Sequence, residues 1–246
     1  MPIDKLITER GLDLSDIDHV LPILVINIVI FTIYNNKLCI VMVPNNESGK
    51  WDLILPGWLV LKWYSLSENL DDLTMRKIWI KLSYKEQLYT FWNPDSNNQD
   101  IHFISVNYFT LINKNELLKD VDLTKINLVE YANIENLNIW FNHRNIINFA
   151  KNKLNFRLEY TTIWKYMLPS KFTIPQMQKD YEIMFWEEFD KRNFRKKVQL
   201  LNIVKWTWEY DESSPYRPAK LYEFVSKDVE YLDDERINLE LHDELT

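Results

Sequence analysis

Residues 190–199 read DKRNFRKKVQ, and five of the seven side chains from Lys191 to Lys197 are cations with no acid among them. Cations packed this closely suit one task above others, the neutralisation of phosphates along a nucleic-acid backbone. At 100° per residue, Phe194, Val198 and Leu201 fall on one side of a helix, and Arg192, Arg195, Lys196 and Gln199 fall opposite. The spacing therefore predicts a helix over 191–202, capped by Asp190, with one apolar and one basic stripe. Other groups able to do chemistry are few. Cys39 is the sole cysteine, which excludes a disulfide framework, a cysteine zinc site and a CxxC motif. His19, His102, His143 and His242 share no ligand spacing and read as structural or solvated. With only Gly11, Gly49 and Gly57 in 246 residues, no glycine-rich phosphate loop can be built. Glu68, Asp71 and Asp72 lie close together, but they read as the acidic first turn that a helix dipole favours. No catalytic residue, no metal site and no cofactor is predicted.

The elements around the basic stripe place it. Thr173 and Gln176 suggest a capping box, with Pro175 in the first turn of a helix running to about residue 188. After the basic helix, NIVKWTWEY and AKLYEFV read as two strands joined by DESSPYRP. Helix, turn, basic helix and hairpin make a winged helix-turn-helix. The acids Asp211 and Glu212 at the hairpin tip oppose a role in binding phosphates. Charge is distributed in the same sense. Residues 151–225 carry 14 Lys/Arg and 10 Asp/Glu, a net +4, between a first part of −5 and a last part of −6. A basic segment inside an acidic chain of net charge −7 is a nucleic-acid module candidate.

The first half reads as several strands with few helices. VLPILVINIVIFTIY (20–34) is too short to span a membrane and too β-branched for a helix, so it reads as a buried strand. Asn35 and Asn36 separate it from KLCIVMV, a hairpin pattern. Residues 66–82 read as a helix with Ser65 or Ser67 as N-cap. From FNHRNIINFAKNKL onward the period becomes helical. No cationic leader precedes the apolar run, and the chain is expected to be cytoplasmic with no membrane partner.

At this point the chain resembles a known family, the Nudix-related transcriptional regulators of the NrtR type. The resemblance is carried by VIFTI (29–33), GKWDLILPG (49–57), EQLYTF (86–91) followed by NPD, and FNHRNI (141–146). In the second half it is carried by LEYTTI (158–163), LPSKFTIPQMQKDYE, DKRNFRKK (190–197) and RPAKLYEF (217–224). It implies an α+β chain in three parts. A degenerate Nudix-like α/β/α sandwich for sensing and dimerisation (1–150) precedes a winged helix (151–225) and an acidic tail (226–246). Laid after Pro56-Gly57, the Nudix box G-x5-E-x7-R-E-U-x-E-E-x-G-U puts its two glycines on Trp58 and Trp79. Its four glutamates fall on Tyr64, Leu73, Arg76 and Lys77, and its arginine on Asp72. Hard divalent cations need oxygen ligands, and two cations in their place repel them.

The resemblance thus implies a DNA-binding transcriptional regulator that is not an enzyme and acts on double-stranded DNA as a homodimer. Lys191, Arg192, Asn193, Arg195, Lys196 and Gln199 of the basic helix, with Arg217 and Lys220 of the wing, are the expected DNA-binding residues. A small-molecule effector, a phosphorylated metabolite or a sugar, is implied for the first domain. Arg76 and Lys77 are the residues that could meet it. Two rival readings stand beside this one: a protein-interaction module for the transcription machinery without specific DNA binding, and a residual Nudix hydrolase.

Overall fold

The computed structural model describes residues 23–45, 53–93, 103–121, 124–139, 142–212 and 218–232. The expectations placed on His19, His102, Arg217, His242 and most of the acidic tail lie outside them. β1 (Ile23–Tyr34) runs through the middle of the sheet, and its apolar run is buried on both faces. That is why the strand shows no apolar–polar alternation. It lies parallel to β6 (Phe103–Leu111), from Ile23 opposite Phe103 to Phe31 opposite Leu111. Asn35 and Asn36, at φ of 51° and 59°, make the two-residue turn into β2 (Lys37–Pro44), as Asn readily does. The sheet order is β3 (Leu53–Ile54), β2, β1, β6, β5 (Glu86–Asn93). The short β4 (Gly57–Leu59) pairs with β1, and β7 (Asn127–Glu130) pairs with β2. Gly57 is required where it stands, since a Cβ there would meet Asn27 Oδ1 at 2.0 Å.

Each face of the sheet is covered. Ile26, Ile28 and Ile30 point to one side, against Leu70, Leu73 and Ile78 of α1 (Leu66–Ile78) and Leu117 of α2 (Lys114–Asp120). Val29, Phe31 and Ile33 point to the other, against α3 (His143–Tyr160). This is the α/β/α sandwich expected. Two details differ from the sequence reading, and one choice that it left open is settled. α1 stops at Ile78 rather than 82, because Trp79 takes the left-handed conformation (φ 59°) and its N–H bonds Thr74 O. Ser65, not Ser67, is the N-cap, in a reciprocal box with Glu68. α2 was not anticipated, and its seven residues are too few for a helical period to stand out.

α3 is the element that joins the halves. The expected boundary at 150/151 falls inside it, and its buried side runs from Ile146 and Ile147 through Ala150 and Leu154 to Leu158. The core on this side of the sheet is continuous with Phe172, Met177, Tyr181, Phe194 and Val198 of the C-terminal part. Glu86 of β5 and Arg157 of α3 add an ion pair at 2.7 Å, both about four-fifths buried. Burial alone would raise the Glu86 carboxyl, but hydrogen bonds from Arg157 and Tyr84 hold it below the usual range. The Tyr84 ring stacks on Tyr166 at 5.0 Å, and Arg157 also donates to Tyr231 Oη at 2.7 Å. The chain after the wing is tied back here: Leu232 N–H donates to Tyr160 O at 2.8 Å and Thr162 N–H to Glu230 O at 3.0 Å.

His143, at the start of α3, is fully buried and accepts a hydrogen bond from Leu55 N–H at 3.0 Å through Nδ1. It thereby pins the Leu55-Pro56-Gly57 turn to the helix. Burial pushes its pKa down to about 3, so the neutral acceptor form persists. Below about pH 6.5 the unfolded chain takes up a proton that the native chain refuses. Stability carried by this group is therefore complete above that pH and lost as pH falls toward the folded value. The expected slope approaches about 1.4 kcal/mol per pH unit. Urea unfolding of wild type and His143→Gln from about pH 4 to 7 measures it; the variant, which keeps an acceptor but does not titrate, should show the shallower dependence.

Candidate nucleic-acid interface

The C-terminal part builds its exposed basic face from local rules. α4 (Ile174–Phe185) begins at Thr173, whose side chain accepts from Gln176 N–H, with Pro175 in the first turn. It ends three residues earlier than the pattern suggested, because Trp186 adopts the left-handed conformation and its N–H bonds Glu182 O. The turn that follows is held from α4. Gln178 Nε2 donates to Phe189 O at 2.7 Å and Phe189 N–H donates to Glu182 Oε1 at 3.0 Å. Asp190 then caps α5 (Lys191–Leu201), accepting from the N–H groups of Arg192 and Asn193 at 3.0 and 2.8 Å. A carboxylate there satisfies two orphan donors and complements the helix dipole.

α5 lies as its sequence period requires. Phe194, Val198 and Leu201 are buried, and Phe194 meets the ring of Tyr181 on α4 at 5.7 Å. Lys191, Arg192, Asn193, Arg195, Lys196 and Gln199 are exposed. Lys197, the fifth cation, is half-buried, and burial lowers its pKa. Among the described residues no carboxylate pairs with Lys191, Arg192, Arg195 or Lys196. Four cations on one exposed helix face, spent on no partner within the chain, can compensate an external row of negative charges.

The wing is a two-stranded hairpin of β8 (Val204–Asp211) and β9 (Ala219–Phe224). Reciprocal backbone bonds between Phe172 and Tyr222, at 3.0 and 2.8 Å, fasten it to the domain. Its register slips between Trp206 and Tyr210, with Trp208 in the left-handed conformation (φ 67°). Two other acids of the hairpin, Glu209 and Glu223, are neutralised within the chain. Lys171 reaches Glu209 at 2.5 Å, and Lys205 reaches Glu223 at 3.1 Å. Lys220 is exposed, with its ammonium 4.3 Å above the Trp206 ring. The wing therefore presents less free positive charge than α5.

The stretch laid on the Nudix box folds as a helix, with different chemistry. Arg76 forms an i, i+4 ion pair with Asp72. Lys77 lies over the Trp58 ring at 3.9 Å. The nearby acids are also engaged: Glu68 accepts from Ser65 N–H at 2.7 Å, and Asp71 pairs with Lys85 at 2.6 Å. Leu61, Tyr64, Glu68, Asp71, Asp72 and Arg76 line an open groove of about 400 Å³. Among the described residues, no three His, Cys, Asp or Glu side chains are placed to hold a metal ion. The residues present do not fit the divalent cation that a Nudix box binds, since two cations stand at its ligand positions. Among the described residues, no helix is long and apolar enough to cross a membrane.

Sequence reasoning missed two polar contacts that tie α3 to the sandwich, His143 to Leu55 and Arg157 to Glu86. They link residues 88 and 71 positions apart, and no local spacing announces such a pair.

Residues 165–224 match the family model of the NrtR DNA-binding winged helix domain. This segment is similar to the NrtR winged helix. The ADPR responsive transcriptional repressor NtrR of Acinetobacter baylyi is 25% identical over 222 residues, covering 87% of this chain and 86% of that one. In fold, the chain is similar to Shewanella oneidensis NrtR complexed with a 27mer DNA. That match has a TM-score of 0.71 at 21% identity and covers 82% of this chain and 93% of the other. A MutT/nudix family protein from Enterococcus faecalis shares the fold at a TM-score of 0.63 and 18% identity, over 90% of this chain and 97% of its own. The sandwich in front of the winged helix thus shares the fold of that MutT/nudix family protein.

Proposed function

We propose that this protein is a DNA-binding transcriptional regulator whose Nudix fold senses a small molecule and does not hydrolyse it. The observation that carries the reading is the unspent basic face of α5, in a segment that matches the NrtR DNA-binding winged helix domain. Likeness to a transcriptional repressor and to an NrtR complexed with a 27mer DNA supports the same role here. In this reading residues 1–150 sense and dimerise, 151–225 bind duplex DNA, and 226–246 form an acidic extension. A homodimer sets two α5 helices in successive major grooves about one helical turn apart. Arg192, Arg195 and Lys196, with Lys191, contact phosphates or guanine edges. Asn193 and Gln199 read base edges, and Arg217 and Lys220 hold the wing to the backbone.

Replacing one phosphate-contacting cation should weaken binding on every sequence. It should also lower the slope of log K against log salt by about one unit. Arg195→Ala and Lys196→Ala are the variants to measure, by duplex titration across a salt series using DNA upstream of the protein's own gene. Parent-like affinity and slope in both, at equal thermal stability, would remove α5 from the interface.

The absence of hydrolysis follows from the cation pair at the metal-ligand positions. Incubation with ADP-ribose and Mg²⁺ or Mn²⁺ is expected to yield no cleavage product above a protein-free blank. Metal-dependent release of AMP or ribose 5-phosphate would restore the enzyme reading.

Arg76 and Lys77 then take the place of the metal toward an anionic effector of the ADP-ribose type, the ligand class of the repressor relative. Binding exchanges the Asp72 carboxylate and the Trp58 ring for ligand phosphates, which Arg can meet with two parallel hydrogen bonds. ADP-ribose in EDTA should raise the melting temperature, in proportion to RT ln(1 + [L]/Kd). Arg76→Ala and Lys77→Ala should each diminish the rise. An unchanged shift in both variants would exclude these two residues from the ligand site.

A further inference from the structure

Seven non-glycine residues among those described have positive φ, and they are of two kinds. Asn35, Asn36 and Asn202 are the kind expected, since a short amide side chain tolerates the left-handed region. The other four are Trp63, Trp79, Trp186 and Trp208, at φ of 75°, 59°, 62° and 67°. A bulky side chain is a real outlier there, because its Cβ crowds the following carbonyl.

All four stand where protein backbones ordinarily place glycine. Trp79 and Trp186 are helix C-caps, each with its N–H closing onto the last turn; glycine is the usual residue at a left-handed helix end. Trp186 also opens the turn of the helix-turn-helix, which often contains glycine. Trp208 sits in the irregularity of β8, the kind of bulge that takes a left-handed glycine. Trp63 is in the loop before α1. Trp79 falls besides on the second glycine of the Nudix box.

Their rings lie largely in solvent and make only surface contacts: Trp186 meets Tyr131 at 5.7 Å, Trp208 meets Trp206 at 4.1 Å, and Lys125 lies 5.4 Å over Trp79. Trp63 is 96% exposed, Trp208 78%, Trp186 58% and Trp79 55%. Trp164 is the contrast. It is buried, and its indole N–H donates to Thr161 O at 3.0 Å, as a tryptophan selected for its ring does. Composition points the same way, for three glycines against ten tryptophans inverts ordinary usage, in which glycine is among the commonest residues.

We propose that Trp63, Trp79, Trp186 and Trp208 occupy glycine positions, and that the host reads their codons as glycine. The triplet UGA means tryptophan in one variant genetic code and glycine in another. Translating such a gene by the wrong variant exchanges many glycines for tryptophans at a stroke and depletes glycine across the chain. The Nudix pattern extends the inference to Trp58, which lies on the first glycine of the box. With glycine there, the Lys77 ammonium loses the ring it now covers. The inference stands on backbone angles and exposure, independently of the regulator reading.

Two measurements test it. Tandem mass spectrometry of the protein purified from its natural host reads the residues directly. Peptides spanning positions 63, 79, 186 and 208 should each be lighter by the difference between an indolylmethyl group and a hydrogen. In recombinant protein made with tryptophan at these sites, Trp→Gly should give a higher melting temperature than Trp→Ala at each of the four. Both changes remove the ring, but only glycine relieves the left-handed backbone. Trp164→Gly should lower the melting temperature. Host peptides that retain tryptophan at the four positions would overturn the proposal. So would alanine equal to or better than glycine at all four.

Discussion

The fold depends on one helix being buried from two sides. α3 closes the core on one face of the seven-stranded sheet, and its last turns reach the core of the winged helix. Neither part has an apolar core that ends at the boundary between them, since Val29 and Phe31 belong to the same packed set as Tyr181 and Phe194. Interiors packed to this density transmit displacement rather than absorb it. A shift of the sheet against α3 therefore has a physical route to the basic helix, through packed side chains and without a flexible hinge.

Polar contacts give that packing its register. A buried Glu–Arg pair adds little net stability, because desolvation offsets most of its Coulomb gain, but loss of one partner costs about 3–5 kcal/mol. Glu86 and Arg157 thus act mainly against wrong arrangements of β5 on α3. Tyr231 takes a second position on the same guanidinium, so the segment after the wing reports to the same point. His143 does for the Leu55-Pro56-Gly57 turn what Arg157 does for the sheet edge.

The two candidate sites differ in how the chain spends its charges. At the former box, Arg76, Asp71 and Glu68 each have an internal partner, and Lys77 has an aromatic one. Exposed pairs of this kind are worth at most about 1 kcal/mol, little enough for a charged ligand to displace. On α5 the helix is capped by an acid at its start, yet its outward cations are left without partners in the described chain. Such a surface gains most when a polyanion arrives, through the release of condensed counterions. The wing's Lys171–Glu209 and Lys205–Glu223 pairs reduce the repulsion that its acids would otherwise offer.

Much of this was legible in the residues themselves. The period of Phe194, Val198 and Leu201, with Asp190 ahead of them, determined α5, its buried face and its exposed cations, because those follow from helix geometry alone. Asn35-Asn36 determined the first hairpin, and the β-branched run before it determined a buried strand. That Arg76 and Lys77 stand where the resemblance lays two glutamates of the Nudix box is likewise read from sequence alone, before any folding. Helix ends were less legible. α1 and α4 stop at Trp79 and Trp186, and nothing in a tryptophan side chain announces a left-handed cap. Only the tertiary structure decided which distant residues meet: the parallel pairing of β1 with β6, His143 on Leu55, Arg157 on Glu86, and Lys77 on Trp58. Local sequence sets the conformation of a few neighbouring residues through sterics and hydrogen bonds. Which of the faces so formed pack together is settled by the burial of the whole chain, and α3, apolar toward both domains, could be assigned to neither until they closed on it.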